Sequence, residues 1–134
     1  MNNMKRIILV CIIALFALDS CKQEQKPVAK LDVKENVRYK LFPTENMWTF
    51  LKLDTRNGLI WQVQYTIKDD SFRGEVELND TPLAVGGEAE NGRFTLYPTK
   101  NMFTFILLDQ KNGKMWQTQW SMEDGNRGII PLVE

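Results

Sequence analysis

Histidine is absent from this 134-residue chain, which removes the commonest general base at neutral pH and the commonest transition-metal ligand. Cysteine occurs only as Cys11 and Cys21. Long apolar runs are missing too: the longest, Ile7 to Leu18, covers about a dozen residues, well short of the roughly 20 that a bilayer-crossing helix needs. That run follows the basic pair Lys5-Arg6, and the combination is the core of a signal peptide, expected over residues 1–20. Cys11 then leaves with the leader, so the mature chain keeps one cysteine and cannot form an internal disulfide. Its stability must come from packing.

Excess charge of either sign is also lacking, with 17 basic and 17 acidic residues. The basic residues are scattered singly among acids rather than gathered into a stripe, which sets nucleic acid aside as a partner. There is no Gly-rich phosphate loop and no calcium loop of alternating acids. Asp69-Asp70 sits beside Ser71 in turn chemistry, and Glu75 and Glu77 alternate with Val76 and Leu78, as a solvated strand face should. No catalytic residue, metal ligand or cofactor is assigned, and the chain is read as a non-enzyme.

What is present is a repeat. Arg38 to Asp69 is echoed by Arg93 to Asp124 at a constant offset, after which the match slips by one residue so that Arg73-Gly74 answers Arg127-Gly128. Within each copy, Asn46 to Tyr65 and Asn101 to Trp120 read as a β-hairpin, with Asn57-Gly58 and Asn112-Gly113 supplying the positive φ that a tight loop needs. A type I turn followed by a bulge at Gly58 pairs Thr55 with Leu59, Leu53 with Trp61, Leu51 with Val63 and Thr49 with Tyr65. The second copy then sets Thr104, Ile106 and Leu108 against Trp116, Thr118 and Trp120. That register leaves Trp48, Phe50, Ile60, Gln62 and Gln64 on the opposite face, echoed by Phe103, Phe105, Met115, Gln117 and Gln119. Asp54 and Asp109 stand just before the loops, where a short carboxylate accepts bonds from turn amides.

No helix of ordinary length shows. Strands are expected at Val37–Phe42, Met47–Asp54, Leu59–Ile67 and Glu75–Leu78, and again at Arg93–Tyr97, Met102–Asp109, Lys114–Met122 and Ile129–Val133. Pro43-Thr44 and Pro98-Thr99 separate the first strand of each copy from the second, and Asn79-Asp80-Thr81-Pro82 with Gly86-Gly87 reads as linker. The fold class is all-β: one domain over residues 37–134, with repeat one at about 37–78, a linker over 79–92 and repeat two over 93–134. Each unit has an apolar face whose nearest cover is its twin, so two four-stranded antiparallel repeats should pack as a pseudo-twofold sandwich or barrel. The spacing Asp-x-x-x-Gly-x-x-Trp, as Asp54, Gly58, Trp61 and as Asp109, Gly113, Trp116, is similar to the strand–turn–strand signature of blades in quinoprotein-type β-propellers. Two blades cannot close a ring alone, so that likeness implies several chains, as in lectins with two blades per subunit.

Leu18-Asp19-Ser20-Cys21 resembles the lipobox of bacterial lipoproteins, with Asp19 standing where that box usually has a small or apolar residue. The resemblance implies cleavage before Cys21 and lipidation of Cys21. The polar stretch over residues 21–36, from Cys21-Lys22-Gln23-Glu24 onward, has the composition of a tether. The text of both repeats, Leu96-Tyr97-Pro98-Thr99 through Trp116-Gln117-Thr118-Gln119-Trp120 in the second, also resembles that of small exported proteins of gut Bacteroidota. Together these resemblances imply a lipid-anchored protein of the bacterial cell envelope, at the outer membrane. They carry no activity.

Binding is what remains. Aromatic rings offer flat apolar area while amides both donate and accept, a mixture suited to sugar rings or an extended peptide. Trp48, Phe50, Gln62, Gln64, Phe103, Phe105, Gln117 and Gln119 are therefore the candidate binding face. The alternative reading makes the same aromatics a second core layer. The expected function is a non-enzymatic binding or interaction module for carbohydrate, peptide or protein, held to the membrane through its lipid. A protease-inhibitor lipoprotein and a lectin-like two-blade propeller subunit are the alternatives.

Overall fold

A computed structural model describes residues 36–132. The expected leader over residues 1–20 and the expected lipidated Cys21 and tether, as far as residue 35, lie outside the described residues. The fold is all-β, as expected, with eight strands in two four-stranded antiparallel sheets. Sheet one is the meander β1 (Tyr39–Pro43), β2 (Thr49–Asp54), β3 (Ile60–Gln64), β4 (Gly74–Asn79). Sheet two repeats it as β5 (Phe94–Pro98), β6 (Thr104–Asp109), β7 (Met115–Gln119), β8 (Gly128–Pro131). The sheets pack as a sandwich, and no barrel closes. Pro43, Pro98 and Pro131 each end an edge strand, where a missing N–H costs no ladder bond.

The hairpin loops carry the glycines as expected: Gly58 has φ 79° and Gly113 has φ 77°. Asp54 Oδ1 accepts the Arg56 N–H at 3.0 Å and Asp109 Oδ1 that of Lys111 at 3.0 Å, so both aspartates fasten their turns. The register differs from the expected one by a residue. Asp54, not Thr55, closes the loop, its N–H donating to Leu59 O at 2.9 Å, and Leu53 faces Ile60, Leu51 faces Gln62 and Thr49 faces Gln64. Thr55 is withdrawn from the ladder by non-local partners. Its N–H donates to Arg38 O at 2.7 Å, and its fully buried hydroxyl reaches Val37 O at 2.6 Å and accepts the Gly92 N–H at 2.9 Å.

A one-residue slip turns every side chain of a strand to the other face. Gln62 is therefore buried against Leu51 while Trp61 is half-buried on the outer face, and Tyr65 and Ile67, expected to continue β3, lie beyond its end and exposed. Between the sheets lies one core of Leu51, Leu53, Ile60 and Leu78 from sheet one, Phe94, Leu96, Phe105, Leu107 and Trp120 from sheet two, and Ala84 from the linker. A bulge opposite Ile60 and Trp61 adds Leu78 to it. Sheet two faces this core with Phe105 and Leu107, whereas the equivalent positions of sheet one, Phe50 and Lys52, face outward. The repeats share a fold and bury opposite faces of it.

Candidate functional site

The connection from β1 to β2 is built to present one aromatic residue. Thr44 Oγ1 accepts the Asn46 N–H at 3.1 Å and donates back to Thr49 O at 2.9 Å, while Asn46 Oδ1 accepts the Trp48 N–H at 2.9 Å. Thr99, Asn101, Thr104 and Phe103 repeat this in sheet two, with Asn101 Oδ1 to Phe103 N at 2.9 Å. These short side-chain bonds replace ladder bonds in a turn, which explains why Pro-Thr-x-Asn-Met-aromatic recurs. Each presented ring meets the aromatic that follows the third strand: Trp48 lies 5.7 Å from Tyr65 and Phe103 lies 5.1 Å from Trp120, centroid to centroid. The polar tips are satisfied alike, Tyr65 OH by Met47 O and Trp120 Nε1 by Met102 O at 2.8 Å.

Two equivalent clefts result. The first, of about 480 Å³, is lined by Trp48, Gln64, Tyr65, Thr66, Ile67, Lys68, Ser71, Phe72 and Met122. The second, of about 420 Å³, is lined by Asn101, Phe103, Gln119, Trp120, Ser121, Met122, Glu123 and Asn126. They differ in their third-to-fourth-strand loops. In sheet two Arg127 gathers that loop, with Nε on Ser121 O at 2.6 Å and a guanidinium nitrogen on Asp124 at 2.7 Å, Gln119 Nε2 donates to Asn126 O at 3.0 Å, and Trp120 is fully covered. In sheet one the rings stay open, with Trp48 49%, Tyr65 45% and Phe72 58% exposed. Phe72 lies in the segment Asp70-Ser71-Phe72, which is one residue longer than its counterpart Gly125-Asn126. Its ring lies over Gly74, where a Cβ would come within 3.2 Å of it.

Comparison with protein-family models, curated proteins and solved structures finds no match for this chain.

Of the eight residues expected to share a binding face, the structure brings Trp48 and Gln64 into the first cleft and Phe103 and Gln119 into the second. The other four are elsewhere, so a continuous face of aromatics and amides does not form. Gln62 is buried between the sheets, where its Oε1 accepts the Ser121 N–H at 3.2 Å, and Phe105 is part of the core. Phe50 is on the outer face of sheet one, 5.9 Å from Tyr65, and Gln117 is half-buried on the outer face of sheet two. The register slip is the cause, since it puts Phe50 and Gln62 on opposite sides of one hairpin. Tyr65, Phe72 and Met122 complete the first cleft without having been singled out from the sequence. The clue available was the extra residue of repeat one.

The first cleft holds one formal charge, Lys68, and its character is aromatic and amide. Gln64 Nε2 lies 2.9 Å from Met122 Sδ, a weak acceptor that a better one can displace. Among the described residues no three of His, Cys, Asp and Glu come together as a metal cluster. The strongest electrostatic feature lies away from the clefts, beneath the second hairpin loop. Burial disfavours the charge on Asp109, but the hydrogen bonds from Arg93 and from the Lys111 and Asn112 amides outweigh it and hold its carboxyl below the ordinary value. Arg93 meets it at 2.8 Å and 3.1 Å. The hydrogen bond to Asp109 raises Arg93 in turn, and that to Asp54 raises Arg38. These pairs clamp the hairpins to β1 and β5.

Proposed function

We propose that this chain is a lipid-anchored protein of the bacterial cell envelope that binds a neutral glycan segment, without catalysis, in the cleft of Trp48, Tyr65, Gln64 and Phe72. The observation that carries this reading is the grouping of three half-exposed aromatic rings beside one amide. An apolar cluster of this kind is costly to leave in water, and concave apolar sites with a few polar groups are where ligands settle. Sugar rings have apolar faces that stack on aromatics and hydroxyls that pair with an amide able to donate and accept. Covering about 100 Å² of ring surface contributes about 2.5 kcal/mol, so a single cleft binds weakly. The anchor rests on Lys5-Arg6, the apolar run and Cys21.

The test is binding of neutral oligosaccharides to the full chain by calorimetry, beside Trp48→Ala, Phe72→Ala and the distant Lys114→Ala. The two cleft variants should lose binding at least tenfold while keeping the melting temperature, and Lys114→Ala should bind as the parent does. Binding that ignores both cleft variants would refute the site. Binding of peptides in place of sugars, lost in the same variants, would keep the cleft and replace the ligand. A clickable fatty acid should label the parent in cells and spare Cys21→Ser; equal labelling would remove the anchor.

A further inference from the structure

The sheets bury opposite faces of their common pattern. Sheet one turns Leu51, Leu53, Ile60 and Gln62 into the seam, and the equivalents Ile106, Leu108, Met115 and Gln117 lie on the uncovered face of sheet two. Sheet two turns Phe105, Leu107, Trp116 and Thr118 inward, and the equivalents Phe50, Lys52, Trp61 and Val63 lie on the uncovered face of sheet one. The free faces thus carry, in kind, the two complementary halves of the seam the chain already makes within itself. A surface complementary to a different surface of the same chain generates head-to-tail contacts, which close into rings when the rotation allows.

We propose that copies of this chain stack head to tail, the free face of sheet two in one copy covering the free face of sheet one in the next. With rings of four-stranded blades commonly holding four to eight, about two to four copies close the circle. The partner is therefore a second copy, and the proposal stands whatever the clefts bind.

Three contacts of the internal seam have counterparts at the free ends. Phe94 N–H donates to Thr55 O at 2.8 Å across the sheets; the equivalent residues are Tyr39 of one copy and Gln110 of another. Ser121 N–H donates to Gln62 Oε1 at 3.2 Å; the equivalents are Thr66 and Gln117. Met122 covers Gln62 and Gln64, and its equivalent, Ile67, is left 91% exposed. Beside Gln117 and Gln119 on sheet two is an open groove of about 220 Å³, where Ile67 of the next copy would sit as Met122 sits on sheet one. One departure limits the strength of the contact. Lys52, Glu75 and Glu77 occupy positions where sheet two has Leu107, Ile129 and Pro131, so the free face keeps charges that burial would desolvate. The assembly therefore depends on concentration.

Sedimentation of the full chain in mild detergent should show a closed species of two to four chains that grows in with concentration. Ile67→Asp should return it to one chain with an unchanged melting temperature, because Ile67 stands at the rim of the first cleft and is almost wholly exposed in the single chain. Chains carrying only Ile67→Cys, mixed with chains carrying only Gln119→Cys, should cross-link beyond the background of the unaltered chain, and Ile67→Cys alone should not. A single chain at every concentration, growth without limit, assembly that survives Ile67→Asp, or self-linking of Ile67→Cys would each overturn the proposal.

Discussion

Gly58 and Gly113 hold the same place in the two hairpin loops, with φ 79° and 77°, but their surroundings differ. A Cβ built on Gly113 meets nothing within 4 Å, whereas one on Gly58 falls 2.9 Å from Leu83 Cδ1 and 3.2 Å from its Cγ. Alanine at Gly113 therefore carries only the left-handed penalty of about 1–2 kcal/mol, offset by about 0.4–1 kcal/mol from the stiffened unfolded chain. The net is about 1 kcal/mol. At Gly58 the same penalty is joined by overpacking, about 1–3 kcal/mol in a fitted site, and Leu83 is held by its N–H on Asn57 O at 2.8 Å. Gly58→Ala should thus cost at least about 1 kcal/mol more than Gly113→Ala, or about 4–8 °C in melting temperature for a domain of this size. Urea unfolding followed by tryptophan fluorescence measures both. In a Leu83→Ala background the two costs should converge, as a double-mutant cycle requires. Equal costs in the parent would refute the Leu83 contact, and a costless Gly113→Ala would refute the left-handed turn.

Thr118→Val should raise stability by about 1 kcal/mol, because the buried Thr118 hydroxyl meets no hydrogen-bond partner among the described residues and repeat one has Val63 at the equivalent position; a lowered unfolding midpoint would show that the hydroxyl is satisfied. Asp109→Asn should cost on the order of 3 kcal/mol by leaving the buried Arg93 guanidinium with only the exposed Glu88 carboxylate as its counter-charge, while Asp54→Asn costs markedly less because Arg38 is half exposed; equal losses in thermal unfolding would contradict this. Since the folded-state value of Asp109 is lowered, its stabilising effect is fully present above the ordinary carboxylate range near pH 4 and is lost as pH falls through the lowered value. The parent should accordingly lose more stability than Asp109→Asn as pH falls below about 4, and parallel acid titrations would say otherwise.

The strands, the loops and their glycines were legible because local chemistry decides them: prolines end the edge strands, Asn-Gly turns the hairpins, and alternation marks the rest. The register was not, because Thr55 is pulled from the ladder by Val37, Arg38 and Gly92, partners far away in sequence. Hydropathy favoured burying Trp61 and Val63 over Gln62, yet Gln62 is the residue inside, since a backbone N–H of the other sheet is there to satisfy it. Of the first cleft, Trp48 and Gln64 could be named because the repeat marks them. Phe72 could not, because it stands where the repeat fails to match.

That mismatch separates the work of the two halves. A four-stranded sheet with apolar residues on both faces needs a neighbour on each, and duplication supplies one of them through the seam of Leu51, Ile60, Phe105 and Leu107. The loops at the end of the sheets begin only after Gln64 and Gln119, so they can differ without disturbing those four apolar side chains. In the second loop Arg127 ties Ser121, Met122 and Asp124 together, and Met122 is carried over onto Gln62 and Gln64. The first loop lacks a tie of that kind among the described residues and, one residue longer, carries Phe72. The fastened loop thereby builds one wall of the open cleft, so the cleft belongs to the pair of sheets and neither half would present it alone.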